Sequence, residues 1–336
     1  MAQKRKKLTK RLIAVIAVAA LCFITGLALL ITNFFIPVKY LTAYCVAADK
    51  NEERTLRVSF IDVGYGDCTV AEFPDGKTLL IDGGNGTYSN NLKVLTALNA
   101  RGIDTIDYLI CSSPAAERCG GLAEVLKYKN VVKVFAPKLA ATYINDSFRN
   151  FSVALDGAGI TAGDIGYGAG VFNDEYGYNF CMLSPSAISL SGGNYGDMLS
   201  NPTAANINNA SAVVWIEYSG AGFLLLGNVS AEVQENLFKG NSGVFEINGR
   251  TVDISNCAVL KLANHGAGIS AYNIYPSAKP QIAVLSVGDN GTGCPSVAAV
   301  SYAQNWVGGN FYRTDIDGSV TVTVRNARVE VEKEKK

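Results

Sequence analysis

Histidine is almost absent from this sequence, which contains one, His265, in 336 residues. A hydrolytic metal centre draws on several imidazole and carboxylate ligands, so one imidazole excludes any site that needs several histidines. The eight cysteines include no Cys-x-x-Cys pair, and a zinc ribbon is therefore not indicated. Basic and acidic residues number 29 each, so the chain has no basic surplus with which to bind nucleic acid.

The first 36 residues predict a membrane anchor. Residues 1–11 carry six basic side chains, whereas residues 12–36 are uncharged and rich in Ala, Val, Ile and Leu. At about 1.5 Å per residue, such a run is long enough to cross a hydrocarbon core of about 30 Å. A cleaved signal peptide is the alternative, but its apolar region is normally only about 7–15 residues long. We predict an uncleaved signal anchor in the cell membrane, with residues 1–11 in the cytoplasm and everything after Pro37 outside.

The rest of the sequence predicts a linker, one large domain and a short charged tail. The linker is residues 37–54, the domain residues 55–332 and the tail residues 333–336. Alternating apolar residues predict strands at the start of the domain, and later segments alternate between strand and helix patterns. This order indicates a mixed α/β domain. Two stretches rich in Gly, Ser and Asn predict loops at residues 156–170 and 184–209.

Several segments, taken in order, resemble the extracellular metallo-β-lactamase-like domain of the ComEC/Rec2 competence family. Residues 56–67 (LRVSFIDVGYGD) are similar to that family's opening strand and its Asp-Val-Gly-Gln-Gly-Asp turn. Residues 73–84 (FPDGKTLLIDGG) resemble its next hairpin, and residues 260–266 (LKLANHG) resemble a later metal-binding segment. The resemblance covers roughly residues 56–331. It implies a four-layer αβ/βα sandwich, which in active relatives holds one or two metal ions, usually zinc, at one sheet edge.

The resemblance also implies that the metal-binding residues have been lost here. Arg118 stands where a histidine is expected, and a guanidinium has no lone pair to donate and repels a divalent ion. We therefore predict that the domain has no metal cofactor. The other departures are Ser113 for a histidine, Ala115 and Glu117 for aspartates, Asn228 for an aspartate, Asn264 for the first histidine of His-His-Gly, and Cys294 for a histidine.

The polar residues that remain have structural interpretations. Asp62, Asp67 and Asp82 are expected to accept hydrogen bonds from backbone amides in Gly-rich turns, and His265 to be a hydrogen-bonded loop histidine. Two catalytic alternatives stay open: a rebuilt zinc site and a Cys–His nucleophilic pair. The zinc site would use Glu117, Cys119, His265 and Cys294, and the pair would join Cys294 or Cys119 to His265.

The favoured function is a non-catalytic domain that binds a partner at the rim of the former active site. The partner would be an extracytoplasmic protein, a glycan or an anionic ligand, and Arg118 is expected to hold an anion such as phosphate or carboxylate. The alternative is a hydrolase with an atypical site, for which the candidate catalytic residues are His265, Cys294 and Glu117. The predicted pocket consists of Asp62, Asp67, Asp82, Ser113, Arg118, Asn228, Asn264 and His265.

Overall fold

The chain divides into two structural units, Met1–Ala47 and Ala48–Lys336. The structure, a computed structural model, describes residues 2–51, 54–138, 145–186, 189–190, 203–239, 243–289, 291 and 293–335. Part of the predicted loop at residues 184–209 and the last residue of the predicted tail lie outside the described residues.

The first unit is dominated by one long helix, α1 (Ala2–Phe35). Within it, Leu12–Phe34 has a mean hydropathy of 2.8, and it is the one helix in the described part of the chain that is long and apolar enough to cross a membrane. A short 3-10 helix (Val38–Tyr40) and α2 (Leu41–Tyr44) follow, so the predicted linker begins with helical turns.

The second unit contains two seven-stranded mixed sheets and a separate hairpin within the described residues. The first sheet has the order β16-β15-β1-β2-β3-β4-β5, and the second has the order β14-β13-β12-β9-β8-β7-β6. The first sheet comprises β1 (Leu56–Phe60), β2 (Thr69–Glu72), β3 (Thr78–Ile81), β4 (Thr105–Ile110), β5 (Asn130–Phe135), β15 (Val320–Arg325) and β16 (Arg328–Lys333). The second comprises β6 (Gly170–Asn173), β7 (Tyr178–Ser184), β8 (Val213–Tyr218), β9 (Ala221–Leu225), β12 (Cys257–Lys261), β13 (Ile282–Leu285) and β14 (Phe311–Arg313), and the hairpin is β10 (Val244–Ile247) with β11 (Arg250–Asp253).

Helices cover the outer face of each sheet. On the first sheet, α3 (Tyr88–Ala100), α5 (Leu122–Tyr128) and α6 (Asp146–Gly157) bury residues such as Leu98, Val125 and Phe151 in one cluster. On the second sheet, α8 (Ala231–Phe238), α9 (Ile274–Ala278) and α10 (Val297–Val307) contribute Leu237, Ile274 and Ala303 to two further clusters. The helices of this unit are α3 (Tyr88–Ala100), α4 (Ala116–Cys119), α5 (Leu122–Tyr128), α6 (Asp146–Gly157), α7 (Ala204–Asn209), α8 (Ala231–Phe238), α9 (Ile274–Ala278), α10 (Val297–Val307) and α11 (Thr314–Asp317).

The main core lies between the two sheets, because alternate residues of each strand point inward. Leu56, Val58 and Phe60 of β1 lie in this core together with Phe180 and Phe223 from the opposite sheet. The layers therefore run helix, sheet, sheet, helix. This is the predicted four-layer αβ/βα arrangement of mixed α/β class, with one long apolar helix before it.

Several elements differ from the sequence-based expectation. Helix α7 lies inside the predicted loop at residues 184–209, and Thr203 caps it by accepting a hydrogen bond from the Asn206 amide. Strand β16 continues to Lys333, which pairs with Val320, so the sheet extends into the segment predicted as a tail.

Candidate functional site

The predicted site residues lie on loops at the carboxyl ends of parallel strands. Strands β3 and β4 are parallel in the first sheet, and β9, β12 and β13 are parallel in the second. Parallel strands release their following loops at the same sheet edge. The loops after these strands carry Asp82, Arg118, Asn228 and His265, and the loop between β1 and β2 adds Asp67.

Backbone hydrogen bonds fix three of these loops against one another. The Asp67 amide donates to the Glu117 carbonyl at 3.0 Å, and the Gly84 amide donates to the Asp67 carbonyl at 2.8 Å. The Gly83 amide donates to the Arg118 carbonyl at 2.7 Å. These bonds hold the three backbone segments that include Asp67, Asp82 and Arg118 side by side.

Arg118 is the centre of the site, and its side chain is buried, with 2% exposed. Its guanidinium pairs with Asp67 through Nη2, and with Asp82 through Nη1 at 3.0 Å from Oδ2. Nε donates to Oδ1 of Asn228 at 2.7 Å, and Nη1 also donates to the Ser112 hydroxyl at 3.2 Å. Burial alone would lower the pKa of Arg118, but Asp67 and Asp82 outweigh it and raise the pKa. Arg118 is therefore a permanent cation whose donors face protein groups.

A second buried cation, Lys261, completes the ion pairs. Its Nζ lies 2.7 Å from Oδ1 of Asp67, and both side chains are 3% exposed. Burial alone would raise the pKa of Asp67, but the charges of Arg118 and Lys261 outweigh it, so the pKa lies well below its usual range. Two cations and two carboxylates thus balance in formal charge inside the site.

Asp82 and Asn228 are held by further hydrogen bonds. Oδ1 of Asp82 accepts from the Ser112 amide at 2.7 Å, and Oδ2 accepts from the Ser112 hydroxyl at 2.6 Å. Burial raises the pKa of Asp82, and Arg118 and these hydrogen bonds offset that rise only in part. Nδ2 of Asn228 donates to Oε1 of Glu117 at 3.0 Å, which ties the outer rim to the centre.

His265 lies beside this cluster and is 1% exposed. Its Nδ1 is 2.9 Å from the carbonyl oxygen of Ser286 and 3.9 Å from Oδ1 of Asp67, and its ring lies 4.7 Å from that of Tyr65. Within the described part of the chain, its Nε2 has no hydrogen-bond partner. Burial lowers the pKa of His265. The prediction of a hydrogen-bonded loop histidine is confirmed.

The turn interpretation is confirmed for Asp62 and wrong for the other two aspartates. Oδ1 of Asp62 accepts from the Gly64 amide at 3.0 Å, two residues along the chain. The side chain of Asp67 forms ion pairs, and Asp82 pairs with Arg118 and Ser112, which come from other elements. Each of these two carboxylates has a buried cation as its main partner.

The expectation that Arg118 holds a ligand anion is also wrong. Two carboxylates, an amide oxygen and a hydroxyl already surround its guanidinium. The cavity next to Arg118 and Lys261 has a volume of about 10 Å³, which is at most enough for one water molecule.

The other predicted pocket residues lie around this filled centre. Ser113 is fully buried, and its hydroxyl accepts from the Ala115 amide at 3.3 Å, whereas Ser112 is the serine that contacts Asp82. Asn264 is half-buried, and its amide donates to the Gly227 carbonyl at 2.9 Å. Asp62 lines a separate open cleft of about 500 Å³ together with Gly64, Gly288, Cys294 and Arg313.

The two catalytic alternatives do not assemble. Among the residues that the structure describes, no three His, Cys, Asp or Glu side chains are placed to hold a metal ion. Cys119 is buried and its thiol donates to the Pro114 carbonyl at 3.3 Å, while Glu117 accepts from Asn228. The described contacts of the His265 ring nitrogens include no thiol. Neither the rebuilt site nor a Cys–His pair is formed.

A zinc ion of the kind found in active relatives does not fit these residues. Zinc needs free lone pairs from several ligands. The two central carboxylates already pair with Arg118 and Lys261, and the only imidazole of the chain has its Nδ1 at the Ser286 carbonyl. We therefore derive no step through a metal ion.

Sequence reasoning missed Lys261 and Ser112. A signal for Lys261 was present, because a lysine within the apolar run Val259–Leu262 can be buried only if an acidic partner meets it. That the partner is Asp67 could not be read from the chain.

Comparisons with known proteins give one relative in sequence and several in structure. No protein-family model matches the chain. ComE operon protein 3 of Bacillus subtilis (strain 168) is 25% identical over 254 residues, which cover 69% of this chain and 28% of that protein. The chain thus matches less than a third of the length of this relative. A diphosphatase of the PhnP family matches with a TM-score of 0.41 at 12% identity, over 80% of this chain and 99% of its own. A metallo-β-lactamase from Hirschia baltica matches with a TM-score of 0.31 at 14% identity, over 59% and 88%.

The predicted resemblance is confirmed. The sequence relative belongs to the competence proteins that the sequence motifs resemble, and the four-layer arrangement is the one that this resemblance implies. A fold does not fix a function, so what the domain does depends on the residues at its candidate site.

Proposed function

We propose that this chain is a membrane-anchored, non-catalytic metallo-β-lactamase-like domain that works outside the cytoplasm by binding. One observation carries the proposal: the Arg118 side chain is buried between Asp67 and Asp82, where two carboxylates would otherwise be available to a metal ion. With the charge of both carboxylates balanced by protein cations, a divalent ion would have to displace Arg118 or Lys261. Without a bound ion, the site lacks the group that lowers the pKa of water in metal-dependent hydrolases.

Metal content and turnover test this proposal directly. We expect the full chain, produced in medium with added zinc and manganese and purified without chelator, to contain no stoichiometric metal. We also expect no hydrolysis of bis(4-nitrophenyl) phosphate or of a chromogenic β-lactam above the buffer rate. One metal per chain, together with turnover that a chelator abolishes, would show that the site is catalytic.

The anchoring part of the proposal rests on the apolar segment Leu12–Phe34 and the basic residues before it. By the positive-inside rule these residues stay in the cytoplasm, and the second unit is then outside. We expect a membrane-impermeant maleimide to label Cys45, which is exposed, in intact cells. An Ala2→Cys variant should be labelled at that position only after permeabilisation. The intact mass of the purified protein distinguishes an uncleaved anchor, which retains residues 1–36, from a cleaved signal peptide.

The binding part of the proposal concerns the separate open cleft that Asp62 and Cys294 line, because the cavity beside Arg118 is filled. The cleft, of about 500 Å³, includes Asp62, Gly288, Cys294 and Arg313. Its charges are already paired in part, since Arg313 contacts Asp315 at 2.7 Å and Asp62 contacts Lys335 at 3.6 Å. A photoreactive amino acid in place of Asp289, which also lines the cleft, should crosslink to a partner on intact cells, and the same replacement of the exposed Val153 on α6 should not.

A further inference from the structure

An open cleft of about 560 Å³ lies between α3 and the outer face of the first sheet. One wall is the face of α3 that carries Thr96, Ala97 and Ala100, and the opposite side includes Thr321 of β15 and Glu332 of β16. Its volume is in the range of sites that hold a small organic molecule. Its lining includes none of the residues that contact Arg118, so it is separate from the candidate site.

Arg101, the residue that follows α3, also lines this cleft, and its side chain is only 14% exposed. Nη1 donates to the Ala97 carbonyl at 2.8 Å. Nε is buried without a hydrogen bond, and Nη2 has no hydrogen-bond partner among the residues that the structure describes. Because buried polar groups are normally hydrogen-bonded, a guanidinium with two unused donors at a cleft needs an explanation.

The carboxylate beside Arg101 is already occupied by another arginine. Glu72 accepts from Nε and Nη2 of Arg57 at 2.7 and 2.8 Å, whereas it lies 3.5 Å from Nε of Arg101. Arg57 also pairs with Asp49, whose side chain is 85% exposed. Two largely buried guanidinium groups therefore share one buried carboxylate, and Arg57 holds it.

The charge of Arg101 is consequently not fully compensated by the protein. Burial lowers the pKa of Arg101, and Glu72 offsets this effect only in part. For Arg57 the neighbouring carboxylates outweigh burial, and the pKa is raised. Arg101 is still a cation at neutral pH. This differs from the Arg118 site, where two carboxylates balance two cations, and it favours an anion from outside the protein next to Arg101.

We propose that this cleft binds a small organic carboxylate with an apolar body, and that the ligand carboxylate accepts a hydrogen bond from Nη2 of Arg101. The ligand would supply the negative charge that Glu72 gives mainly to Arg57. Its body would pack on Ile61, Leu92 and Ala100, which line the same cleft.

The other charged residues of the cleft limit the ligand to one negative charge. Lys93 already lies 3.3 Å from Asp62, and Lys333 lies 2.9 Å from Asp317. Glu332, on the opposite side, would repel a second negative charge, so phosphate and dicarboxylates are disfavoured. The inference goes beyond the proposed function and does not depend on it, since the cleft shares no contact with Arg118.

Titration with 4-phenylbutyrate tests the inference. The full chain in phosphatidylcholine nanodiscs would be titrated by calorimetry, with empty nanodiscs as the blank. We expect a dissociation constant of about 1 mM or lower. The alcohol 4-phenyl-1-butanol and the amine 4-phenylbutylamine have the same body without the negative charge, and inorganic phosphate has the charge without the body. All three should bind at least about tenfold more weakly.

Matched variants locate the binding. Arg101→Met should weaken 4-phenylbutyrate binding at least about tenfold, as expected for loss of a charge-assisted hydrogen bond. Ala97→Leu keeps Arg101 but fills part of the cleft, and it should weaken binding similarly. Arg149→Met removes an exposed arginine from α6 and should bind as the unaltered chain does. The ligand should also raise the midpoint of thermal unfolding of the unaltered chain and of Arg149→Met, but not of Arg101→Met.

Three results would overturn the inference. The first is no binding of 4-phenylbutyrate by the unaltered chain, and the second is equal binding of the alcohol, which would show that the carboxylate contributes nothing. The third is unchanged affinity in a folded Arg101→Met or Ala97→Leu variant, which would place the ligand elsewhere.

Discussion

At the scale of single residues, Arg118 is the residue on which the contacts of the candidate site converge. Its guanidinium is the direct partner of Asp67 and Asp82, and Lys261 is the second partner of Asp67. A buried ion pair is not strongly stabilising compared with apolar packing, but removing one partner leaves an uncompensated buried charge. Arg118 is therefore expected to have a large effect on stability.

Arg118→Met tests this role. We expect the free energy of unfolding to fall by about 3–5 kcal/mol, because Asp82 loses its only cationic partner among the described residues and Asp67 loses one of two. Urea unfolding followed by the fluorescence of the buried Trp215 measures the change. Arg149→Met is the control: Arg149 forms an exposed pair with Asp146 on α6, and its loss should cost less than about 1 kcal/mol. Equal effects of the two substitutions would contradict the central role of Arg118.

His265 is the other residue with a testable electrostatic effect. Burial lowers its pKa below the ordinary value of 6.5, so the unfolded chain takes up a proton at a higher pH than the folded chain does. The free energy of unfolding should therefore decrease as pH falls below about 6.5, by at most about 1.4 kcal/mol per pH unit from this group.

The contribution of His265 can be isolated because the chain has no second histidine. Unfolding of the unaltered chain and of His265→Asn would be compared at pH 7.5, 6.5 and 5.5. The difference in stability between the two should shrink or reverse in favour of the variant as pH falls. A difference that stays constant over this range would show that His265 does not titrate differently in the folded and unfolded states.

At the scale of elements, close backbone contact between two turns positions the ion pairs. The turn after β3 and the start of α5 approach so closely that a Cβ on Gly121 would lie 2.0 Å from the Gly83 carbonyl oxygen. The same contact places the Gly83 amide on the Arg118 carbonyl. Glycine is required at residue 121 for space, since its φ of −86° suits any residue.

Gly121→Ala should force these turns apart. We expect a loss of about 1–3 kcal/mol in the free energy of unfolding, as is usual for overpacking at a rigid contact. Gly157→Ala is the control, because nothing lies within 4 Å of a Cβ at this last residue of α6. That substitution should be neutral or slightly stabilising. Thermal or urea unfolding of both variants measures the contrast, and a stable Gly121→Ala protein would show that the turns can separate at little cost.

The elements that sequence reasoning missed are those with weak local signals. Helix α6 presents Phe148, Phe151 and Leu155 to the core, and its N-cap Asn145 accepts from the Phe148 amide. The polar residues of α6 are of the same types as those in the neighbouring loops. The helical spacing of its three apolar residues was therefore not recognised in the sequence. The β10–β11 hairpin has strands of four residues each, too short for alternation to stand out.

At the scale of the whole molecule, ion pairs and hydrogen bonds join the two sheets at the edge that carries the candidate site. Asp67 and Asp82 lie on loops of the first sheet and Arg118 lies on α4, whereas Asn228 follows β9 and Lys261 is in β12 of the second sheet. The carboxylates of this edge have Arg118 and Lys261 as their ion-pair partners. If these ion pairs hold the edge together, a chelator should have no effect on stability.

The midpoint of thermal unfolding of the full chain should be the same, within error, in about 5 mM EDTA and in about 0.1 mM zinc chloride, because only an ion that binds the folded state shifts this midpoint. Circular dichroism or scanning calorimetry would measure it. A midpoint lowered by EDTA and restored by zinc would mean that metal stabilises the folded state, against the proposal of a metal-free site.

The sequence by itself determined the mixed α/β class of the second unit and the presence of a single imidazole. Strand alternation and ordered motifs are local features, and a count of imidazoles does not depend on the fold. The apolar run and its basic flank are local features too, so the long apolar helix α1 could be predicted from them.

Only the tertiary structure decided which groups surround Arg118. Whether Arg118 faces a ligand or faces Asp67 and Asp82 depends on how loops from distant parts of the chain meet, and the sequence contains no local signal for such a contact. The burial of Lys261 against Asp67 likewise follows from the packing of the two sheets. Ion pairs of this kind are long-range interactions, and long-range contacts are set by the fold as a whole.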